Sequence, residues 1–188
     1  MALQYYDFRL LWFGSFVSQM GTQMQVVAVT WQLYQITHSP ISLGFLGLAQ
    51  FIPVLLFSMV GGVAADRVNR KKLLVFSQLF LALTSAALSI ISLEGFISAY
   101  FIYGVMAITA IANSFNMPAR QSILPHLVPQ KHFMNAVSLN TLQRQAATIV
   151  GPTIAGFAIA TLGVESVYIF NAITFLVLIC TLLPHTRR

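Results

Sequence analysis

Charge is what this sequence has least of. Its 188 residues include ten Lys and Arg and four Asp and Glu, while 57% are hydrophobic; soluble domains carry roughly one quarter charged residues. A chain so composed cannot cover a folded surface with groups that water solvates. Carboxylates are scarcest: Asp7, Asp66, Glu94 and Glu165 all lie outside the predicted spans, so no membrane-embedded acid is available for proton coupling. One cysteine, Cys180, excludes an internal disulfide and a thiolate metal cluster. No H-E-x-x-H and no G-x-x-x-x-G-K-[ST] motif occurs. His38, His126, His132 and His185 fall in turns or at predicted helix ends, out of reach of a nucleophile inside a span. Neither catalysis nor a cofactor or metal is expected. The net charge of +6 does not point to nucleic acid either, because the basic residues sit at helix ends and form no face with interleaved aromatics.

What is abundant is uninterrupted apolar sequence. A helix needs about 20 mostly apolar residues to cross a bilayer. No Asp, Glu, Lys or Arg occurs between Arg9 and Asp66, and Thr37-His38-Ser39-Pro40 is the only turn-like break. From Lys72 to Arg120 the only charge is Glu94, followed by Gly95; from Arg144 to Arg187 it is Glu165, beside Gly163. The spacing predicts an all-α membrane protein of six transmembrane helices, near 9–36, 41–64, 73–93, 97–118, 136–161 and 166–184. The first is too long for a signal-peptide core and is read as a retained helix. The broken, polar segment 119–135, with Pro125 and Pro129, is expected to lie along the membrane surface.

Lys and Arg collect in cytoplasmic loops. Arg9, the run Arg67, Arg70, Lys71 and Lys72, then Arg120, Lys131, Arg187 and Arg188 all fall on one side, and the opposite turns contain none. An even number of spans then puts both termini in the cytoplasm, in a plasma (inner) membrane. Residues 1–96 and 97–188 form units of similar length with three helices each, which an odd count would place in opposite orientations, a 3+3 inverted repeat.

The turn between the second and third helices reads Gly62-Val63-Ala64-Ala65-Asp66-Arg67-Val68-Asn69-Arg70-Lys71. It resembles the G-x-x-x-D-R-x-G-R-K loop of the major facilitator superfamily, with Asn69 in place of a glycine. Asn tolerates left-handed backbone better than most residues, and a small Gly62 would permit close helix approach. Gly151-Pro152-Thr153-Ile154-Ala155-Gly156 resembles the G-P-x-x-G-G core of an exporter-type motif, with Ala155 departing from the pattern. Met117-Pro118-Ala119-Arg120-Gln121, the stretch to Pro129, then Asn135-Ala136 and Asn171-Ala172 are similar to the enterobactin-exporter-like branch of that superfamily. The resemblance implies the amino-terminal half of an alternating-access transporter whose members carry two such halves. It implies efflux of a siderophore or drug-like solute, with the basic turn (Gly62, Asp66, Arg67, Arg70, Lys71) as a latch and the fifth-helix motif (Gly151, Pro152, Gly156) as a packing pivot.

Arg144 is the one cation well inside a span, about 12 Å along the fifth helix from Ala136 at 1.5 Å per residue. Charge at that depth marks function by default, and a water-filled cavity that attracts an anionic solute is the expectation. With Thr148, Gly151 and Ala155 it forms a stripe expected to face the other half. The first helix carries Ser15, Ser18, Gln19, Thr22, Gln23, Gln25 and Gln32, and the fourth carries Asn113 and Asn116. The resemblance places these helices around the central cavity, which makes Gln19, Gln23, Asn113, Asn116 and Arg144 the candidate substrate contacts. The expected partners are the lipid bilayer, a small-molecule substrate and a carboxy-terminal six-helix half or, failing that, a second copy. The rival reading is a non-transporting six-helix membrane scaffold, or a truncated remnant of a transporter gene.

One prediction concerns topology. Reporter fusions at residues 37–40 and 66–72 are expected to report opposite compartments; the same compartment for both would refute three consecutive hairpins with their basic ends on one side.

Overall fold

The computed structural model describes residues 2–182, apart from the side chains of Asp7, Ala64, Ala65, Asp66, Arg67, Arg70, His126, Leu127 and Leu182. The described chain is all-helical. A 3-10 turn, Ala2–Gln4, leads into α1 (Tyr6–Thr37), followed by α2 (Pro40–Arg67), α3 (Arg70–Leu93), α4 (Ala99–Leu127), a second 3-10 turn Gln130–His132, α5 (Phe133–Leu162) and α6 (Val164–Leu182).

Helix ends follow local chemistry. α1 stops at His38, whose backbone is left-handed at φ 47°, and Pro40 opens α2 at the first position, where its missing N–H costs nothing. Gly95 and Gly163, at φ 73° and 85°, turn the chain after α3 and α5. Asn69 is not left-handed as the loop resemblance suggests: at φ −58° it caps α3, its Oδ1 accepting from the N–H groups of Lys71 and Lys72 at 3.1 and 3.2 Å. A polar cap thus does at this turn what a flexible glycine would otherwise do.

The largest departure from the predicted boundaries is α4. Expected to end near 118 and give way to a surface segment over 119–135, it continues to Leu127 through Pro118 and Pro125. The connection shrinks to Val128, Pro129 and the following 3-10 turn. Proline removes one helical hydrogen bond, but packing can hold the helix through it: Ala119 and Leu124 are buried, Ala119 beside Leu11, Leu74 and Leu178 and Leu124 beside Phe8 and Ala136.

Packing pairs are α1 with α5 and α6, α3 with α4 and α6, and α2 with α4. Exchanging α1, α2 and α3 for α4, α5 and α6 leaves this set of pairs unchanged. The directions agree. Contacts of Trp12 with Leu139 and Gln23 with Thr148 run parallel along α1 and α5, as those of Ser42 with Tyr103 and Gly61 with Ser114 do along α2 and α4.

Each of these two parallel contacts is centred on a glycine. A Cβ on Gly61 would lie 2.2 Å from the Ser114 carbonyl oxygen, and one on Gly151 would lie 2.7 Å from Gln23 Cβ and 3.2 Å from the Met20 carbonyl oxygen. Ser114 is the residue whose carbonyl would accept from position 118 in a regular helix, and Pro118 has no N–H to give. The carbonyl so released is the one Gly61 packs against. A Cβ on Gly62, expected to mediate close approach, would meet no described neighbour within 4 Å, and the same holds for Gly156. Of the stripe Arg144, Thr148, Gly151 and Ala155, Gly151 and Ala155 are buried and Thr148 is joined to Gln23 of α1, while Arg144 and Thr148 remain exposed.

Among the described residues four stretches are long and apolar enough to cross a membrane: Pro40–Val63, Lys71–Leu93, Gln130–Leu162 and Val164–Thr181. α1 and α4 are not among them, because amides and hydroxyls on their interior faces lower their mean hydropathy. The helices on the outside of the bundle are opposite in character. Ile41, Leu55, Leu56 and Met59 of α2 and Ile149 and Phe157 of α5 are exposed, Met59 at 82%. An apolar face of this extent calls for lipid or another helix in place of water.

The glycine contacts are testable in matched pairs. Gly61→Ala and Gly151→Ala are expected to destabilise the detergent-solubilised chain by about 1–3 kcal/mol through overpacking, while Gly62→Ala and Gly156→Ala stay within about 0.5 kcal/mol of wild type. Thermal melts showing equal losses within each pair would contradict the assignment.

Candidate functional site

At the end of the bundle where α1 and α5 begin and α4 finishes, the helices separate around a cavity of about 540 Å³. The opposite end of the bundle is packed. There Met24, Val29, Leu33, Leu46, Leu88, Ile102, Met106, Val167 and Tyr168 form the main apolar core. A smaller cluster, Ala2, Phe8, Leu124, Val128 and Ala136, packs beside the cavity at the near end. It is tied by hydrogen bonds from Ala2 N to Asn135 Oδ1 at 2.9 Å and from Trp12 Nε1 to the Leu139 carbonyl at 3.2 Å.

The polar residues of α1 divide between the two ends. Ser15, Ser18, Gln19 and Thr22 line the cavity. Farther along, Gln25 and Gln32 are buried between α3 and α6. Gln25 Oε1 accepts from Ser85 Oγ at 2.6 Å and from Asn171 Nδ2. Gln32 uses both ends of its amide: Nε2 donates to Ser92 Oγ at 2.6 Å and Oε1 accepts from the Tyr168 hydroxyl at 2.8 Å, while Ser92 donates on to Glu165 Oε1 at 2.9 Å. These junctions make Gln25 and Gln32, which the sequence did not single out as substrate contacts, helix-to-helix ties.

Of the predicted contacts, Gln19, Asn113, Asn116 and Arg144 line the one cavity. Gln23 does not; its Nε2 donates to Thr148 Oγ1 at 2.8 Å and joins α1 to α5. In the exporter-type motif Gly151 is buried against α1, Pro152 lies within α5, and Gly156 is exposed. In the basic turn Lys71 is partly buried, while the side chains of Asp66, Arg67 and Arg70 lie outside the described ones.

The structure adds wall residues that the sequence did not single out: Gln78 from α3, Arg120 and Gln121 from α4, Asn140 and Gln143 from α5. A fourth helix that ends at 118 puts Arg120 on a surface segment. Because α4 continues past Pro118, Asn113, Asn116 and Arg120 fall on one face at spacings of three and four, and two guanidinium groups, Arg120 and Arg144, share the cavity. No carboxylate among the described residues lines it. The signal that could have found Arg120 is this helical spacing from Asn113 and Asn116, which a helix ended at 118 conceals. Among the described residues no group of three or more His, Cys, Asp or Glu could hold a metal ion.

The junction of α1, α3 and α6 is expected to be cooperative. In a double-mutant cycle of Gln25→Leu and Asn171→Leu, read by chemical denaturation in detergent, the coupling energy should be about 0.6 kcal/mol or more, the scale of hydrogen bonds between membrane helices. Strict additivity would show that the two side chains do not act together.

Comparison with known proteins agrees with this architecture. The chain matches the family model for transmembrane secretion effectors, MFS_3, over residues 2–188. It is 28% identical over 160 residues to the uncharacterized MFS-type transporter YfiS of Bacillus subtilis, covering 85% of this chain and 37% of the relative. It is 26% identical over 166 residues to macrolide efflux protein A of Streptococcus pyogenes, covering 88% and 40%. It is 30% identical over 182 residues to the enterobactin exporter EntS of Shigella boydii, covering 94% and 42%. The chain therefore spans about two fifths of the length of the curated relatives it matches. With a match that covers nearly its whole length, this multi-pass membrane chain belongs to the transmembrane secretion effector family of major facilitator transporters.

Proposed function

We propose that these six helices form the amino-terminal half of an exporter that moves a small solute across the plasma membrane by alternating access. All six span the bilayer in this reading, both termini lie in the cytoplasm, and α1 to α3 and α4 to α6 are an inverted repeat. Three antiparallel hairpins with every basic turn on one side support the orientation. The packing pairs, unchanged when the two triplets are exchanged, support the repeat.

The observation that carries the proposal is the cavity. It lies at the end of the bundle that this orientation assigns to the cytoplasm, where an exporter loads, and its polar wall bears two arginines with no described carboxylate. Packing seals the opposite half around Leu33, Leu88, Ile102 and Val167. Such a half presents an inward-facing site. The exposed apolar faces of α2 and α5 await a second six-helix half, against which rocking would transfer access to the other side. Asp66, Arg67, Arg70 and Lys71 then latch the cytoplasmic gap, and Gly151 and Pro152, seated against α1, serve as the pivot.

The solute read from this wall is anionic. Relatives named for enterobactin export and for macrolide efflux are compatible with efflux of either kind of compound, and two guanidiniums without a counter-charge favour an acid over a base.

Arg144→Gln tests this in cells that express the chain with the rest of its transporter. Efflux of an anionic solute is expected to fall about tenfold or more, since a hydrogen bond to a charged group contributes about 1.5–3 kcal/mol. Efflux of neutral solutes should be unchanged. Unaltered anion efflux would reject the cavity role.

A further inference from the structure

We propose that Gln78, Asn116 and Arg120 form a recognition subsite in the cavity wall for a hydroxy acid, a solute group that carries an anionic oxygen next to a hydroxyl. The inference rests on the cavity being the solute site and names the chemistry that site would select.

Gln78 is fully buried, and neither its Oε1 nor its Nε2 has a hydrogen-bond partner among the described residues. Asn116, 5% exposed, leaves Nδ2 without a partner among the described residues, as Arg120 leaves Nε. All three side chains line the cavity. Asn116 and Arg120 are one helical turn apart on α4, and Gln78 comes from α3, which packs against it.

Unpaired buried amides are not the habit of this chain. Gln32 satisfies both ends of its amide, Gln25 Oε1 accepts twice, and Gln23 reaches Thr148. An amide that is stripped of water and given no partner is costly unless something else completes it. That Gln78 and Asn116 share one wall with Arg120 points to a ligand that does so.

The inventory of unpaired atoms sets the ligand's chemistry. Gln78 Nε2, Asn116 Nδ2 and Arg120 Nε are donors, and Gln78 Oε1 is an acceptor. A carboxylate alone would answer the three donors and leave the Gln78 oxygen unpaired. An ammonium would answer that oxygen and be repelled by Arg120 and Arg144. A carboxylate with an adjacent hydroxyl answers all four, its anionic oxygens accepting and its hydroxyl donating. Aliphatic and aromatic hydroxy acids share this feature.

The test uses the full chain in lipid nanodiscs and two probe pairs that differ by one hydroxyl, citrate against tricarballylate and 2-hydroxybenzoate against benzoate, with affinities read by calorimetry. In at least one pair the hydroxylated member is expected to bind about tenfold or more tightly than its partner, the scale of one hydrogen bond in a charged network; which pair responds separates the aliphatic from the aromatic source. Gln78→Leu should erase that preference, and Asn116→Leu should weaken both members. Gln78→Leu should also raise the melting temperature of the free chain, because leucine fills the space with no polar atom left unpaired. Equal binding within both pairs, a preference that survives Gln78→Leu, or a lower melting temperature for that variant would overturn the subsite. Arg144→Gln separates the two levels of the reading. If it abolishes anion binding while the Gln78→Leu preference persists, the subsite fails and the cavity stands; if it leaves anion binding intact while Gln78→Leu erases the preference, the cavity role of Arg144 fails instead.

Discussion

Two glutamines of α1 hold the rest of the structure in place. Buried between helices, an amide has no water to fall back on, so each must find its partner on another helix. Gln25 finds Ser85 and Asn171, and Gln32 finds Ser92 and Tyr168, which fixes the far half of α1 between α3 and α6. With that half anchored, the near half of α1 is carried into the interior and presents Ser15, Gln19 and Thr22 to a cavity. One helix therefore serves as a sealed joint along part of its length and as a wall along the rest. The division follows from where partners are available.

Close helix approach supplies the second element. Gly61 admits the Ser114 carbonyl and Gly151 admits the Met20 backbone, in the two parallel contacts that exchange when the helix triplets are interchanged. Proline contributes at one of them, since Pro118 leaves the Ser114 carbonyl without its usual helical donor. A C–H of glycine beside such a carbonyl is a weak but recurrent contact between helices. In the proposed transporter these tight seams join the two triplets so that the six helices move as one half, while Gly62 and Gly156, where an added Cβ would meet no described neighbour, remain on the faces open to a second half.

The cavity itself is electrostatically one-sided. Arg120 and Arg144 are brought together by α4 and α5, helices whose facing ends come together only in the folded chain, and the described wall offers them no acid. Two cations near one another in a low-dielectric wall are unfavourable until an anion or water joins them. The unpaired amides beside them add direction to that attraction.

Much of this was legible in one dimension. The six helices could be read from the gaps between charges, and the breaks at His38, Glu94-Gly95 and Gly163 from turn residues, because the length of an uncharged run and the residues that interrupt it are properties of contiguous sequence. Gln19, Asn113, Asn116 and Arg144 could be singled out on the same ground, as polar groups where hydrocarbon tolerates few. Other features depended on neighbours distant in the chain. Whether α4 survives Pro118 depended on burial of Ala119 and Leu124 by α1, α3, α5 and α6. Which glycine of Gly61-Gly62 is the close one depended on the rotation of α2 against α4. Gln23 belongs to a joint and Gln78 to a wall although both are amides within helices, since only the tertiary structure decides whether a partner stands opposite. Sequence alone determined the solvent and the number of helices; packing determined which polar groups are satisfied and which are left for a ligand, because hydrogen bonds between helices are settled by contacts that no local pattern encodes.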